Sequence, residues 1–279
     1  MTFGPEIRKA SITTADGSVL NYFLRGDGEP VLFLHGFPTS GMLWDEIAKI
    51  MCDRFTCVYV DLPGWGESDT IAAHGSEVLE ASIPIFELLE EACGRPIRNI
   101  ASTDAGAVIA AYYAAVRPGR IKRLVLMSAP LWPDFNVPLP MRVLRAPLIG
   151  KIAGFLIKPL MFWRLGLEGR DLEHYSEEHR RAFSHPFRGF LGGTKLADRV
   201  RWGDPYEVMT PLSKVLPDIE ARTLVVHCSD DSAVPESMAI RTTEAIRDAR
   251  QLTLEGPHFI PMTHPELVAG HLSDFFAEP

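Results

Sequence analysis

The chain has 279 residues, of which 46% are hydrophobic, and 28 Lys and Arg stand against 36 Asp and Glu for a formal charge of −8. That length and composition fit one soluble domain with a large core, or one domain carrying an insertion. The acidic balance leaves no basic surface excess for nucleic acid or an anionic membrane, so neither is expected as a partner.

Met1 to Gly17 alternates charged and polar residues without a long apolar run, which is not the pattern of a secretory leader. Two short alternating runs, Ile7 to Thr13 and Val19 to Leu24, flank Asp16-Gly17 and predict an antiparallel hairpin at a sheet edge. Val31-Leu32-Phe33-Leu34 and Thr56 to Val60 are continuous apolar runs, the form of strands buried on both faces. Met42 to Met51, between them, has helical spacing. A helix over Glu77 to Cys93 then leads to a strand at Ile97 to Ala101, a helix over Ala105 to Val116 and a strand at Ile121 to Met127. Strand and helix alternate as in a mostly parallel sheet with helices on both faces. Ligands of such sheets sit at the carboxyl ends of the strands, where His35, Asp61 and Asp104 fall.

The pattern breaks from residue 129 to 216, a stretch rich in Pro, Arg and aromatics with helical segments and no convincing strand. It is expected to be a helical cap inserted between a first core part, residues 1–128, and a second, 217–279. In the second part Thr223 to His227 and Gln251 to Leu254 predict strands, and Pro235 to Asp248 and Pro265 to Phe276 predict helices. Within the insertion, Pro147 to Trp163 is the one membrane-like stretch, but Lys151, Lys158 and Pro159 interrupt it and it is too short to span. Its apolar residues, Trp163 among them, either line a substrate cavity or form the core of the cap.

Ser102-Thr103-Asp104-Ala105-Gly106 stands out. A strand that turns sharply into a helix needs small residues two positions before and two after its tip, and Ser102 and Gly106 supply them. The tip is Asp104, at a helix N-terminus where backbone N–H groups favour an anion. Read alone, Asp104 is either a helix N-cap or a nucleophile. Two later loops weigh on that choice: Ser229-Asp230-Asp231-Ser232 follows one strand, and Gly256-Pro257-His258-Phe259 follows the next. A nucleophile needs a base and the base an acid to orient it, and the order Asp104, Asp231, His258 is nucleophile, acid, base.

On these residues the chain resembles the α/β-hydrolases with a cap, and within them the aspartate-nucleophile branch of epoxide hydrolases and haloalkane dehalogenases. The matching text is His35-Gly36-Phe37-Pro38, Asp61-Leu62-Pro63-Gly64-Trp65-Gly66, the Asp104 turn, Asp231-Ser232-Ala233-Val234-Pro235, and His258 followed by His264-Pro265-Glu266. The resemblance implies an α/β-hydrolase fold, with Asp231 rather than Asp230 as the acid and the amides of Phe37 and Ala105 as an oxyanion hole. His35, grouped with the substrate side, would shape the loop that carries Phe37.

A carboxylate that attacks a saturated carbon forms an ester, which water can cleave once His258 activates it. The expected reaction is therefore opening of an epoxide through an alkyl ester on Asp104. Ring opening needs a proton donor, for which Tyr175 and Tyr206 in the insertion are the candidates. The alternative is a dehalogenase with the same three residues, although Ala105 offers a halide no donor where that family carries Trp. The Arg that fluoroacetate dehalogenases place there is missing too. A third reading, from another class, is a non-hydrolytic enzyme or ligand binder that uses Asp104 as acid or base. No cofactor and no metal are expected, since no Gly-rich phosphate loop or spaced ligand set is visible. Four cysteines without CxxC spacing suit reduced, buried thiols and a cytoplasmic location. The expected partner is a small hydrophobic substrate, bound by a monomer or homodimer.

Overall fold

The computed structural model describes residues 6–165, 176–201 and 205–278. Eight strands are present: β1 (Arg8–Thr13), β2 (Val19–Arg25), β3 (Glu29–Leu34), β4 (Phe55–Val60), β5 (Asn99–Thr103), β6 (Arg123–Met127), β7 (Arg222–Cys228) and β8 (Ala249–Leu254). They form one sheet in the order β1-β2-β4-β3-β5-β6-β7-β8. β1 and β2 pair antiparallel, β2 joins β4 antiparallel, and every later pairing is parallel. The apolar runs explain the central position of β3, β4 and β5. Every residue of β4 and β5, and all of β3 beyond Glu29, is buried, as strands covered on both faces must be.

Helices α1 (Asp45–Met51), α2 (Glu77–Cys93) and α3 (Ala105–Val116) connect the first strands. α3 is apolar nearly all round and built from Ala and Val, and a helix of that kind belongs inside the protein. α9 (Glu236–Ala245) lies between β7 and β8, and α10 (Ile260–Thr263) and α11 (Pro265–Ala277) follow. The predicted elements are present with moved ends. Met42 to Met51 divides into a tight turn over Gly41–Trp44 and α1. β5 starts two residues late because the Ile97 N–H is taken by the Glu90 side chain, at 3.0 Å, before the ladder begins.

The stretch between β6 and β7 contains α4 (Leu139–Arg145), α5 (Ile149–Arg164), α6 (Glu177–Ser184), α7 (Gly192–Arg201) and α8 (Pro205–Val215), with no strand among its described residues. α5 and α7 cross at Gly154 and Gly193, so close that a Cβ on either would lie 2.3 Å from the other's backbone. The apolar text of α5 serves two faces. Ile157 and Met161 turn toward a cavity, whereas Leu148, just ahead of the helix, and Ile149, Ile152 and Leu156 are exposed. No helix among the described residues is long and apolar enough to cross a membrane. The four cysteines are buried and unbridged.

Candidate active site

β5 ends at Thr103 and α3 begins at Ala105, so the whole reversal falls on Asp104, with φ 48° and ψ −121°. A non-glycine residue in that region is strained by about 1–3 kcal/mol and persists only where its surroundings hold it. Here the Asp104 N–H donates to the Met127 carbonyl of β6 (3.1 Å), and Ser102 Oγ donates to the Val125 carbonyl (2.6 Å). Gly106 is required because a Cβ there would lie 2.5 Å from the His35 carbonyl oxygen. The Asp104 side chain does not cap the amides further into its own helix. It turns instead to the loop after β3, where the Phe37 N–H donates to Oδ2 at 2.7 Å. Gly36 allows that approach, since a Cβ on it would lie 2.5 Å from Asp104 Cβ.

The acid and the histidine arrive on the loops after β7 and β8. Asp231 Oδ1 accepts from the Ala233 and Val234 N–H groups at 2.8 and 2.9 Å, and Oδ2 lies 2.8 Å from His258 Nδ1. A carboxylate at that distance keeps a proton on Nδ1 and leaves Nε2 free to accept one. Asp230, its sequence neighbour, is exposed and binds its own loop. Burial disfavours the charged imidazole, but the Asp231 bond and the Asp104 charge outweigh it and raise the His258 pKa above its ordinary 6.5. Asp231 is held below the usual carboxylate range: burial opposes this, and the bond to His258 overcomes it. Asp104 is pushed up by burial, against the His258 charge and the amide donors of Phe37 and Ala105. The three groups thus influence one another, and Asp104 and His258 face the same cavity.

That cavity has a volume of about 650 Å³, within the range of small-molecule sites. Its floor is Asp104, Ala105, Phe37 and His258, and its walls include Trp65 and Val108 from the core and Met141, Ile157, Met161, Val208 and Met209 from the helical stretch. Three arginines, Arg145, Arg164 and Arg199, also line it, which the sequence reading did not single out.

The other expected substrate residues that are described lie off the cavity wall. Tyr206 is 67% exposed and off the cavity wall, because α8 turns Pro205, Val208, Met209 and Leu212 inward and position 206 falls between those rows. Trp163 is 48% exposed and off the wall for the same reason, as α5 lines the cavity with Ile157, Leu160, Met161 and Arg164. Tyr175 lies outside the described residues. His35 is sealed beneath the site, where Nδ1 meets the Gly36 carbonyl at 2.9 Å and Nε2 accepts from the Leu62 N–H at 3.0 Å. Burial lowers its pKa to about 4, so it is a neutral strut that joins two strand-end loops and is not among the residues lining the cavity. Asp61 is likewise structural: it accepts from the Gly41 and Glu67 N–H groups, and burial raises its pKa to about 6.

The model of the alpha/beta hydrolase family matches residues 31–271. A non-heme chloroperoxidase from Streptomyces lividans is 28% identical, over 95% of this chain and 98% of its own. Haloalkane dehalogenase 2 from Mycobacterium tuberculosis is 31% identical, over 41% of this chain and 40% of its own. Among solved structures, a loop variant of a haloalkane dehalogenase from Bradyrhizobium elkanii aligns with a TM-score of 0.74 at 23% identity, covering 98% of this chain and 97% of that one. That likeness is one of fold.

Proposed function

The chain belongs to the alpha/beta hydrolase family, and on that premise we propose that it hydrolyses a bond at an sp3 carbon, with an epoxide as first substrate class, through an ester on Asp104. The carrying observation is the tip of the β5–α3 turn: a carboxylate, with one oxygen already held by the Phe37 N–H, in the position from which a nucleophile attacks. Residues 129–216 act in this reading as a cap that closes the cavity from above.

Asp104 Oδ1 attacks the less hindered ring carbon, the C–O bond breaks, and the ring oxygen takes a proton from a donor. Tyr206 is turned away from the cavity, and Tyr175, the other candidate from the sequence, lies outside the described residues. His258 Nε2 then removes a proton from water, whose oxygen adds to Cγ of Asp104. The negative charge forms on Oδ2, held by the Phe37 and Ala105 amides. Collapse breaks the bond from Cγ to the alkyl oxygen, His258 returns its proton to that oxygen, a diol leaves, and the proton left on the Asp104 carboxyl passes to the deprotonated ring-opening donor, restoring both. Ester formation also removes the Asp104 charge that raised the His258 pKa, so the imidazole becomes a free base as water must be activated.

Dehalogenation by the same residues is the second reading. Two observations favour it: the likeness to haloalkane dehalogenase 2, and Trp65 on the cavity wall, whose indole N–H has no acceptor among the described residues and suits a halide. The test is the intact mass of a His258→Ala variant incubated with an epoxide panel and a haloalkane panel. An increase equal to the whole epoxide supports the first reading. An increase equal to the alkyl group, with halide released, supports the second. A folded variant that gains no mass from either panel rejects the Asp104 ester.

A further inference from the structure

The cavity wall carries a half-buried cation that its surroundings engage only in part. Arg199, near the end of α7, is half-buried on that wall, and its Nε donates to the Gly64 carbonyl at 2.9 Å. The guanidinium lies against Gly64 so closely that a Cβ there would be 2.6 Å from Nε. With Nε engaged, both Nη groups are left without an acceptor among the described residues. Neither belongs to the sealed, partnerless polar atoms of those residues, and Arg199 is among the residues that line the cavity. The acid that acts on Arg199 electrostatically is Asp198, and its carboxylate is 3.3 Å from Lys151 Nζ.

The neighbouring cations differ. Arg145 donates to the Val200 carbonyl at 2.7 Å, and Arg164 is exposed. The acid on the described cavity wall is Asp104, which the Phe37 amide and the electrostatic attraction of His258 already engage. A guanidinium drawn partly out of water needs an anion, and a charge left without one is costly in an apolar site. Arg cannot shed its proton to escape that cost, and its planar Nη pair matches the two oxygens of a carboxylate. One half-buried cation whose Nη groups have no acceptor among the described residues calls for a monoanion.

From this placement, the geometry points to an apolar substrate that carries a carboxylate, bound in two-point fashion by the Arg199 fork while the walls hold its hydrocarbon part. The inference rests on the cavity being the substrate site and refines the purely hydrophobic substrate expected from the sequence. A substrate of this class would be an oxidised fatty or aryl-alkyl acid rather than a neutral alkane derivative.

The experiment compares octanoate with 1-octanol, which share a chain and differ in the head group, by titration calorimetry on the full chain. Octanoate is expected to bind at least ten-fold more tightly than 1-octanol. Arg199→Gln is expected to abolish most of that preference and keep 1-octanol within two-fold. Arg199→Lys, which retains the charge but loses the fork, is expected to fall between the two. Equal binding of the two probes by the wild type, or an undiminished preference in Arg199→Gln, overturns the inference. If Arg199→Gln loses 1-octanol too, Arg199→Lys decides: weakened octanoate with retained 1-octanol supports the fork, and octanoate bound as in the wild type sinks it. Binding of these probes involves no Asp104 chemistry. Loss of the ester adduct with the octanoate preference intact therefore removes the proposed reaction alone, and the converse removes the anchor alone.

Discussion

The two sides of the cavity are held by different means. On the sheet side, Asp104, Asp231 and the Phe37 amide are positioned by backbone N–H and carbonyl groups at strand ends, with Gly36 and Gly106 allowing main chains to approach. On the helical side, the wall is a set of side chains whose direction depends on how α5, α7 and α8 pack. Backbone bonds at strand ends tolerate little displacement, whereas a wall of side chains can exchange one apolar residue for another of similar volume. The sheet side is thus suited to fix the chemistry and the helical side to select what undergoes it.

Substitutions on the two sides should separate these roles. The largest effect is expected for Asp104→Ala, which removes the proposed nucleophile: turnover should fall on the order of 10⁴-fold or more while thermal stability changes little, checked by product formation and a melting curve. Unchanged turnover would take Asp104 out of the chemistry, rejecting the ester and the acid–base role alike.

Asp231→Asn keeps the shape but loses the charge that orients His258, and a loss of about 10³-fold is expected in ester hydrolysis. The pH dependence sharpens this. His258 accepts a proton only when neutral, so ester hydrolysis should slow as the pH drops through the imidazole pKa of the ester, which the Asp231 bond still raises and the Asp104 charge no longer does. Without the Asp231 carboxylate that pKa is lower, and the acid limb of the single-turnover hydrolysis rate should move to lower pH in Asp231→Asn. A limb that stays in place would assign it to another group.

Gly64→Ala tests the seam between the two sides. Gly64 has φ 82°, and an added Cβ would meet the Arg199 side chain. A loss of about 1–2 kcal/mol in stability is expected from the left-handed backbone alone, a drop of a few degrees in melting temperature, with the octanoate preference reduced as Arg199 is displaced. The smallest effect is expected for Tyr206→Phe. Turnover should remain within two-fold because the residue lies off the cavity wall, and a hundred-fold loss would restore it as the proton donor.

Strand-end residues could be read in the sequence because the signal is local. Small residues around Asp104 mark a tight turn, and an acid and a histidine after successive apolar strands mark two loops on the same sheet edge. The reading of Tyr206 relied on sequence order and that of Trp163 on the apolar character of its stretch, and a step of one residue, about 100° around a helix, separates the wall from the solvent. Arg199 gave no signal among the many arginines of that stretch, and its role depends on Gly64, 135 residues away.

The sequence by itself determined the sheet, the turn at Asp104 and the order of Asp104, Asp231 and His258, because apolar runs and turn residues constrain the backbone where they stand. It took the packing of distant segments to decide which of the described side chains between 139 and 215 line the cavity, that His35 is a buried strut, and that the Arg199 fork meets no carboxylate at hydrogen-bond distance among the described residues. Those outcomes follow from how helices rotate and cross, as α5 and α7 do at Gly154 and Gly193. That geometry is set by contacts between distant segments, which no local pattern encodes.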